Sequence, residues 1–200
     1  MSKVLYVKAN AKPEGISRTF KISDSFVEEY KKLHPEDEII TLDLYKENIH
    51  FLTEENVMAH TGGVEDVEKN PILKYTYQFK NADKYIFAEP LWNLGIPAIL
   101  KAYFDYVSVA GITFKYTETG AAGLCEGKKA VNIMTQGGDY SEGPAAEWEL
   151  GNRYLKTILG LFGIYDCKSI IASNLDVIGM DVDAIVNKAI EEAKELAKTF

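Results

Sequence analysis

The chain has 200 residues, of which 46% are hydrophobic, 26% charged and 12% aromatic, a composition that excludes disorder, collagen and low complexity and fits a folded chain with a full-sized core. With 30 acidic against 22 basic residues the net charge is −8, so the surface repels phosphate backbones and anionic lipid, and nucleic acid is not an expected partner. No Pro- or Ser-rich linker divides the sequence, so residues 1–200 read as one domain.

Val4, Leu5, Tyr6 and Val7 form a continuous apolar run, which predicts a central parallel strand covered on both faces. After a polar loop over residues 10–16, Ile22, Phe26, Val27, Tyr30 and Leu33 recur at three- and four-residue spacing, an amphipathic helix with Ser17 as N-cap and Pro35 beyond its end. Residues 39–44 predict a second strand and residues 85–88 a third. The segment between them is longer than one crossover needs, and over residues 53–80 it looks helical, with a break at Thr61, Gly62 and Gly63. Its aromatics Tyr75, Tyr77 and Phe79 are expected in the core. A helix over residues 96–109, a strand over 129–134, a helix over 145–161, a strand over 167–171 and a helix over 182–198 complete the order. Five strands alternating with helices give an α/β doubly wound parallel sheet with helices on both faces.

In such sheets ligands bind beyond the carboxyl ends of the strands, which selects the loops at residues 10–17, 89–95 and 135–143. The first leads into a helix N-terminus and offers Ser17, Arg18 and Thr19 within one turn, a setting that suits a phosphate as well as it suits a plain capped helix. The second, Glu89-Pro90-Leu91-Trp92-Asn93-Leu94-Gly95-Ile96-Pro97, is apolar and aromatic; Trp92 beside Asn93 can lie against a planar ring and bond its polar edge, or close the end of the sheet. The third, Thr135-Gln136-Gly137-Gly138, lets backbone amides approach a ligand, or is a bare turn.

Other chemistries find little support. Cys125 and Cys167 are too far apart for a metal knuckle or a redox pair and read as reduced thiols. His34, His50 and His60 lack ligand spacing and read as solvated; Asp181 and Asp183 read as stabilising the start of the last helix. Residues 123–128 resemble a Walker loop only superficially, and no G-x-G-x-x-G occurs. The apolar residues 4–7 lie between Lys3 and Lys8, too short for a secretory core of roughly 7–15 residues, and residues 157–165 reach about half of the ~18 apolar residues of a span. The expectation is a cytoplasmic protein without a membrane segment. Phosphate-like and ring-like loops with no metal set, nucleophile or acid–base pair point to a bound cofactor as the carrier of the reaction.

The start Met1-Ser2-Lys3-Val4-Leu5, the Pro90-Leu91-Trp92-Asn93 loop, the run Ala110-Gly111-Ile112-Thr113-Phe114-Lys115-Tyr116-Thr117-Glu118 and the Gly137-Gly138 turn resemble the bacterial FMN-dependent NADH azoreductases, which also reduce quinones. The resemblance implies a flavodoxin-like fold and a homodimer with one FMN per subunit at the subunit junction. It also implies NADH as electron donor and quinones or aromatic azo compounds as acceptors, reduced in a ping-pong cycle. By the same resemblance Asn10, Ser17, Arg18 and Thr19 surround the phosphate and ribityl end, Leu91, Trp92, Asn93 and Leu94 hold the isoalloxazine ring, and Thr135, Gln136, Gly137 and Gly138 line its pyrimidine edge. Asn10, Leu91 and Gln136 stand where that family commonly has Ser, Met and Arg. The alternatives are a flavodoxin-type one-electron carrier that binds FMN without oxidising NADH, and an FMN-free scaffold in which the loops only cap the sheet.

Overall fold

A computed structural model of the chain describes residues 1–47, 49–61 and 71–200. Strands β1 (Lys3–Lys8), β2 (Glu38–Asp43) and β3 (Lys84–Pro90) fall where the apolar runs predict them. So do two strands later in the chain, β6 (Lys129–Thr135) and β7 (Asp166–Ala172). These five form one sheet in the order β2-β1-β3-β6-β7, every pair parallel. Side chains alternate across it. Leu5, Val7, Tyr85, Phe87 and Ala130 face one layer, which includes Leu100, Phe104, Leu155 and Leu159. Val4, Tyr6, Ile86, Val131 and Ile133 face the other, with Phe20, Phe26, Ala189 and Ala193. The first layer belongs to helices α4 (Ala98–Val107) and α5 (Gly151–Leu161), the second to α1 (Arg18–Leu33) and α6 (Val182–Ala197).

Helix α1 forms as its sequence requires. Ser17 Oγ accepts from the Phe20 amide at 3.1 Å, the face carrying Ile22, Phe26, Val27 and Tyr30 is buried, and the His34 amide closes the last turn on the Tyr30 carbonyl at 2.9 Å. Asp181 caps α6 through the Ala184 amide at 3.0 Å, as expected of that acid.

Three elements depart from the sequence reading. Residues 110–123 hold a hairpin, β4 (Phe114–Thr117) against β5 (Gly120–Gly123), antiparallel and separate from the main sheet. The helix expected over 96–109 begins at Ala98, because Ile96 precedes Pro97 and is pushed out of helical conformation. The helix expected over 145–161 splits into a 3-10 turn (Pro144–Trp148) and α5. Glu149 at the junction accepts the Asn152 amide at 2.7 Å and so starts a new helix, while the Leu150 amide turns away to the Leu94 carbonyl at 3.0 Å. Between β2 and β3, α2 (Glu54–Thr61), a 3-10 turn (Pro71–Leu73) and α3 (Lys74–Asn81) take up the predicted helical stretch; Gly62 and Gly63 of the predicted break lie outside the described residues. Phe79 is fully buried, and Tyr75 is half-buried with its hydroxyl donating to Glu47 at 2.8 Å.

His60 is a correction. Expected in solvent, it is buried, with Nε2 3.0 Å from the Tyr106 carbonyl and its ring edge-on to that of Tyr106. The imidazole offers a ring nitrogen to the carbonyl and an apolar face to the surrounding core, which suits such a site.

Candidate functional site

The chain leaves β1 toward β2 on one side and returns to β3 on the other, so the loops that follow β1 and β3 diverge and open a crevice at the carboxyl edge of the sheet. That crevice is lined by Asn10, Lys12, Arg18, Thr19, Pro90, Leu91, Trp92, Thr135, Gln136, Gly137, Leu175 and Asp176. All three loops selected from the sequence meet there, joined by a fourth after β7 that the sequence reading missed. Its enclosed part is about 70 Å³. Organic-ligand sites start at roughly 300 Å³, so the enclosed part has room for one end only of a nucleotide-sized ligand, and beside Trp92 it gives onto an open face.

The floor is a buried hydroxyl cluster. Asn10 Nδ2 donates to Ser17 Oγ at 2.9 Å and Thr19 Oγ1 at 3.2 Å, and Thr19 Oγ1 lies 2.6 Å from Thr135 Oγ1. Ser17 is wholly buried as the cap of α1 and does not line the crevice. Thr19 and Thr135 share one hydrogen bond, which leaves one of their two hydroxyl protons available. The amides of Arg18 and Thr19, in the first turn of α1, have no acceptor among the described residues; these are the donors a helix N-terminus presents to an anion. The guanidinium of Arg18 is engaged across the crevice, with Nη1 2.9 Å from the Leu175 carbonyl and 3.0 Å from Asp176 Oδ1.

The second loop is a tight reversal. Trp92 and Gly95 exchange both backbone hydrogen bonds, at 3.0 and 3.1 Å, and the residues between them are left-handed, Asn93 at φ 50° and Leu94 at φ 69°. Two positive φ values define a type I′ turn. Leucine there stores strain of about 1 kcal/mol, an outlier of the kind that collects at ligand sites. Trp92 separates the polar crevice from an apolar cleft of about 570 Å³, bordered by Asn93, Ile96, Pro97, Leu150 and Tyr154.

In the third loop the Gln136 amide is bonded to the Ala172 carbonyl at 2.8 Å, whereas the amides of Gly137 and Gly138 have no acceptor among the described residues. A Cβ on Gly137 would come within 2.7 Å of Asp176 Oδ2, so the backbone passes close to that carboxylate. Of the twelve residues singled out from the sequence, Asn10, Arg18, Thr19, Leu91, Trp92, Thr135, Gln136 and Gly137 line the crevice. Ser17 lies beneath it, Asn93 borders the apolar cleft, and Leu94 and Gly138 stand in the same two loops just outside. Lys12 and Pro90 lie in the selected loops without having been singled out, and Leu175 and Asp176 were not anticipated; the polar Ser173-Asn174 pair after β7 was the available signal for these two. Among the described residues no group of three His, Cys, Asp or Glu could hold a metal ion, and no helix is long and apolar enough to cross a membrane.

A doubly wound sheet with unpaired amides converging at its switch point defines a nucleotide-binding α/β protein. The chain belongs to the flavodoxin-like family, whose model matches residues 2–197. It is 62% identical, over all of both chains, to the FMN-dependent NADH:quinone oxidoreductase 2 of Clostridium acetobutylicum. Among solved structures it is similar to an azoreductase from Bacillus anthracis (37% identity, TM-score 0.91, all of both chains). It is also similar to a FMN-dependent NADH-azoreductase from Bacillus anthracis in complex with FMN (29% identity, TM-score 0.90, 100% of this chain and 99% of that one).

Proposed function

We propose that this chain, grouped by family with the FMN-dependent NADH:quinone oxidoreductases, binds FMN in the crevice and works by a ping-pong cycle as a cytoplasmic homodimer. The reading rests on one observation: unpaired amides from two separate loops, at Arg18-Thr19 and Gly137-Gly138, meet at a crevice that is polar at its floor and aromatic at its rim. The donor set fits a phosphate joined to a planar ring. The Arg18 and Thr19 amides and the free Thr19 or Thr135 proton would hold the phosphate, with the α1 dipole favouring its charge. Charge-assisted hydrogen bonds contribute roughly 1.5–3 kcal/mol each, so three or four approach the ~8 kcal/mol of a micromolar site.

FMN bound there would supply the redox chemistry, accepting a hydride from NADH and then passing two electrons to a quinone or aromatic azo compound. The residues orient and polarise. Trp92 would flank the ring, while the amides of Asn93, Gly137 and Gly138 would present fixed dipoles to the ring edge that gains negative charge. Pro90, Leu91 and Trp92 would keep water from one side of it.

Purified protein should be yellow, should release FMN on denaturation and should oxidise NADH with a soluble quinone, giving parallel double-reciprocal plots. Protein that stays colourless after incubation with excess FMN overturns the site. Flavin-loaded protein that leaves NADH unoxidised makes it a one-electron carrier, and intersecting plots replace ping-pong by a ternary complex.

A further inference from the structure

β3 ends in an acid that faces the core. Glu89 is fully buried, and alternation along the strand places it with Tyr85 and Phe87 on the face covered by α4 and α5. Among the described residues neither carboxyl oxygen has a hydrogen-bond partner, and neither does Oδ1 of Asn132 on β6. The register pairs Glu89 with Met134 and Phe87 with Asn132, which makes acid and amide diagonal neighbours on one face, about 7–8 Å apart at the backbone and within reach of two long side chains.

An ionised Glu89 would leave two buried acceptors facing each other with no proton between them. A protonated one has a donor, and Asn132 Oδ1 needs one. The surroundings agree. From the turn into α5 the charged group facing Glu89 is Glu149, another acid; β6 offers Met134 and the Asn132 amide; β7 offers the Cys167 thiol, which burial pushes up to about 11. Burial holds the Glu89 carboxyl well above the usual carboxylate range, against a smaller opposing pull from Asn132.

From Asn132 the hydrogen bonds continue. Its Nδ2 donates to Asn152 Oδ1 at 3.1 Å, and Ser169 Oγ donates to the same oxygen at 2.8 Å. Asn152 opens α5 beside Leu150, whose amide holds the carbonyl of the strained Leu94. Pro90, next in sequence to Glu89, lines the crevice. We propose that Glu89 is a neutral carboxylic acid that donates to Asn132 Oδ1, closes the chain Glu89–Asn132–Asn152–Ser169 beneath the crevice, and so positions the loop of residues 90–94. The positioning half rests on the crevice being the FMN site; the proton does not.

The test uses the full chain, with and without FMN, and three variants. An acid that keeps its proton on folding, from an ordinary value of 4.5, makes folding less favourable as pH rises above that value. The folding constant of the wild type should therefore fall about tenfold per pH unit relative to Glu89→Gln from about pH 5 to about pH 7. Glu89→Gln should also remove a protonated-carboxyl carbonyl band from the infrared spectrum. Parallel stability curves, or no such band, overturn the neutral acid. Glu89→Gln retains a donor and should bind FMN as the wild type does, whereas Glu89→Met orphans the amide oxygen and should weaken FMN binding about tenfold. Equal loss in both variants, or none in Glu89→Met, overturns the positioning role, and Glu89→Asp, too short to reach, should resemble Glu89→Met. If no variant and no wild type binds FMN, the function proposed above falls, while the pH slope and the infrared band, read on flavin-free protein, still judge the proton.

Discussion

Arg18 is, with Lys12, one of the two cations lining the crevice, yet both of its hydrogen bonds go to the protein. The Asp176 carboxylate to which it is bonded is three-quarters exposed and the guanidinium more than a third exposed, so the pair adds under about 1 kcal/mol to stability. Its consequence falls on an anionic ligand instead, because Asp176 sets a negative charge beside the unpaired Gly137 amide. Asp176→Asn should leave the melting temperature nearly unchanged and tighten FMN binding about threefold by fluorescence titration, while the affinity for riboflavin, which lacks the phosphate, stays the same. Equal gains for both ligands would place Asp176 away from the phosphate. The three loops were legible in the sequence because each combines a strand end with residues that only a ligand or a special turn explains: Ser17-Arg18-Thr19, Trp92-Asn93 and Gly137-Gly138. Asp176 was not, since nothing in an Asn-Leu-Asp run shows that Arg18 reaches it from the far end of the chain. Glu89 escaped for a different reason. The apolar run that marks the third strand ends at residue 88 and leaves this acid in the loop, and only the register of β3 on β6 shows it enclosed within the strand.

The three central strands of the sheet could be read directly, because burial on both faces demands apolar runs and the chain supplies them at residues 4–7, 85–88 and, broken only by Asn132, 130–134. The β4–β5 hairpin could not. Its strands have four residues each, so the apolar-polar alternation of Phe114-Lys115-Tyr116-Thr117 is too short to mark a strand, Gly120-Ala121-Ala122-Gly123 has none, and the turn lacks the Asn-Gly or Asp-Gly signature. What anchors it is a backbone contact. A Cβ on Gly123 would lie 2.2 Å from the Gly163 amide nitrogen and 2.3 Å from the Phe162 carbonyl carbon, and the neighbouring Cys125 amide bonds the Phe162 carbonyl at 2.8 Å. Backbone cannot yield as a side chain tip does. Gly123→Ala should therefore cost at least about 2–3 kcal/mol, seen as a lower urea midpoint, with the end of α5 displaced. A change within ±0.5 kcal/mol would mean that the hairpin is held elsewhere. The break that separates the 3-10 turn at Pro144–Trp148 from α5 was equally hidden, since Glu149 reads as one more helical acid until its carboxylate is seen accepting the Asn152 amide.

At the scale of the molecule, the crevice is too small for the ligand assigned to it. About 70 Å³ is enclosed, whereas the larger apolar cleft on the other side of Trp92 is open and is flanked by Leu150, half exposed, close to the exposed Trp148. An open aromatic rim beside a half-enclosed site is completed most simply by a second copy of the chain, which would bury those side chains and shield the ring from water. The opposing force is charge, for each chain carries −8 and two of them repel. Association of this kind strengthens with added salt, as screening at about 0.15 M removes repulsion beyond roughly 8 Å while apolar contact is unaffected. Light scattering should give twice the 22.4 kDa chain mass, with a dissociation constant that falls as salt is raised. Leu150→Glu should shift the mass to a single chain without unfolding it, because the side chain is exposed, and should release flavin in the same step. A variant that is monomeric yet holds FMN as tightly as the wild type would show that one chain completes the site by itself.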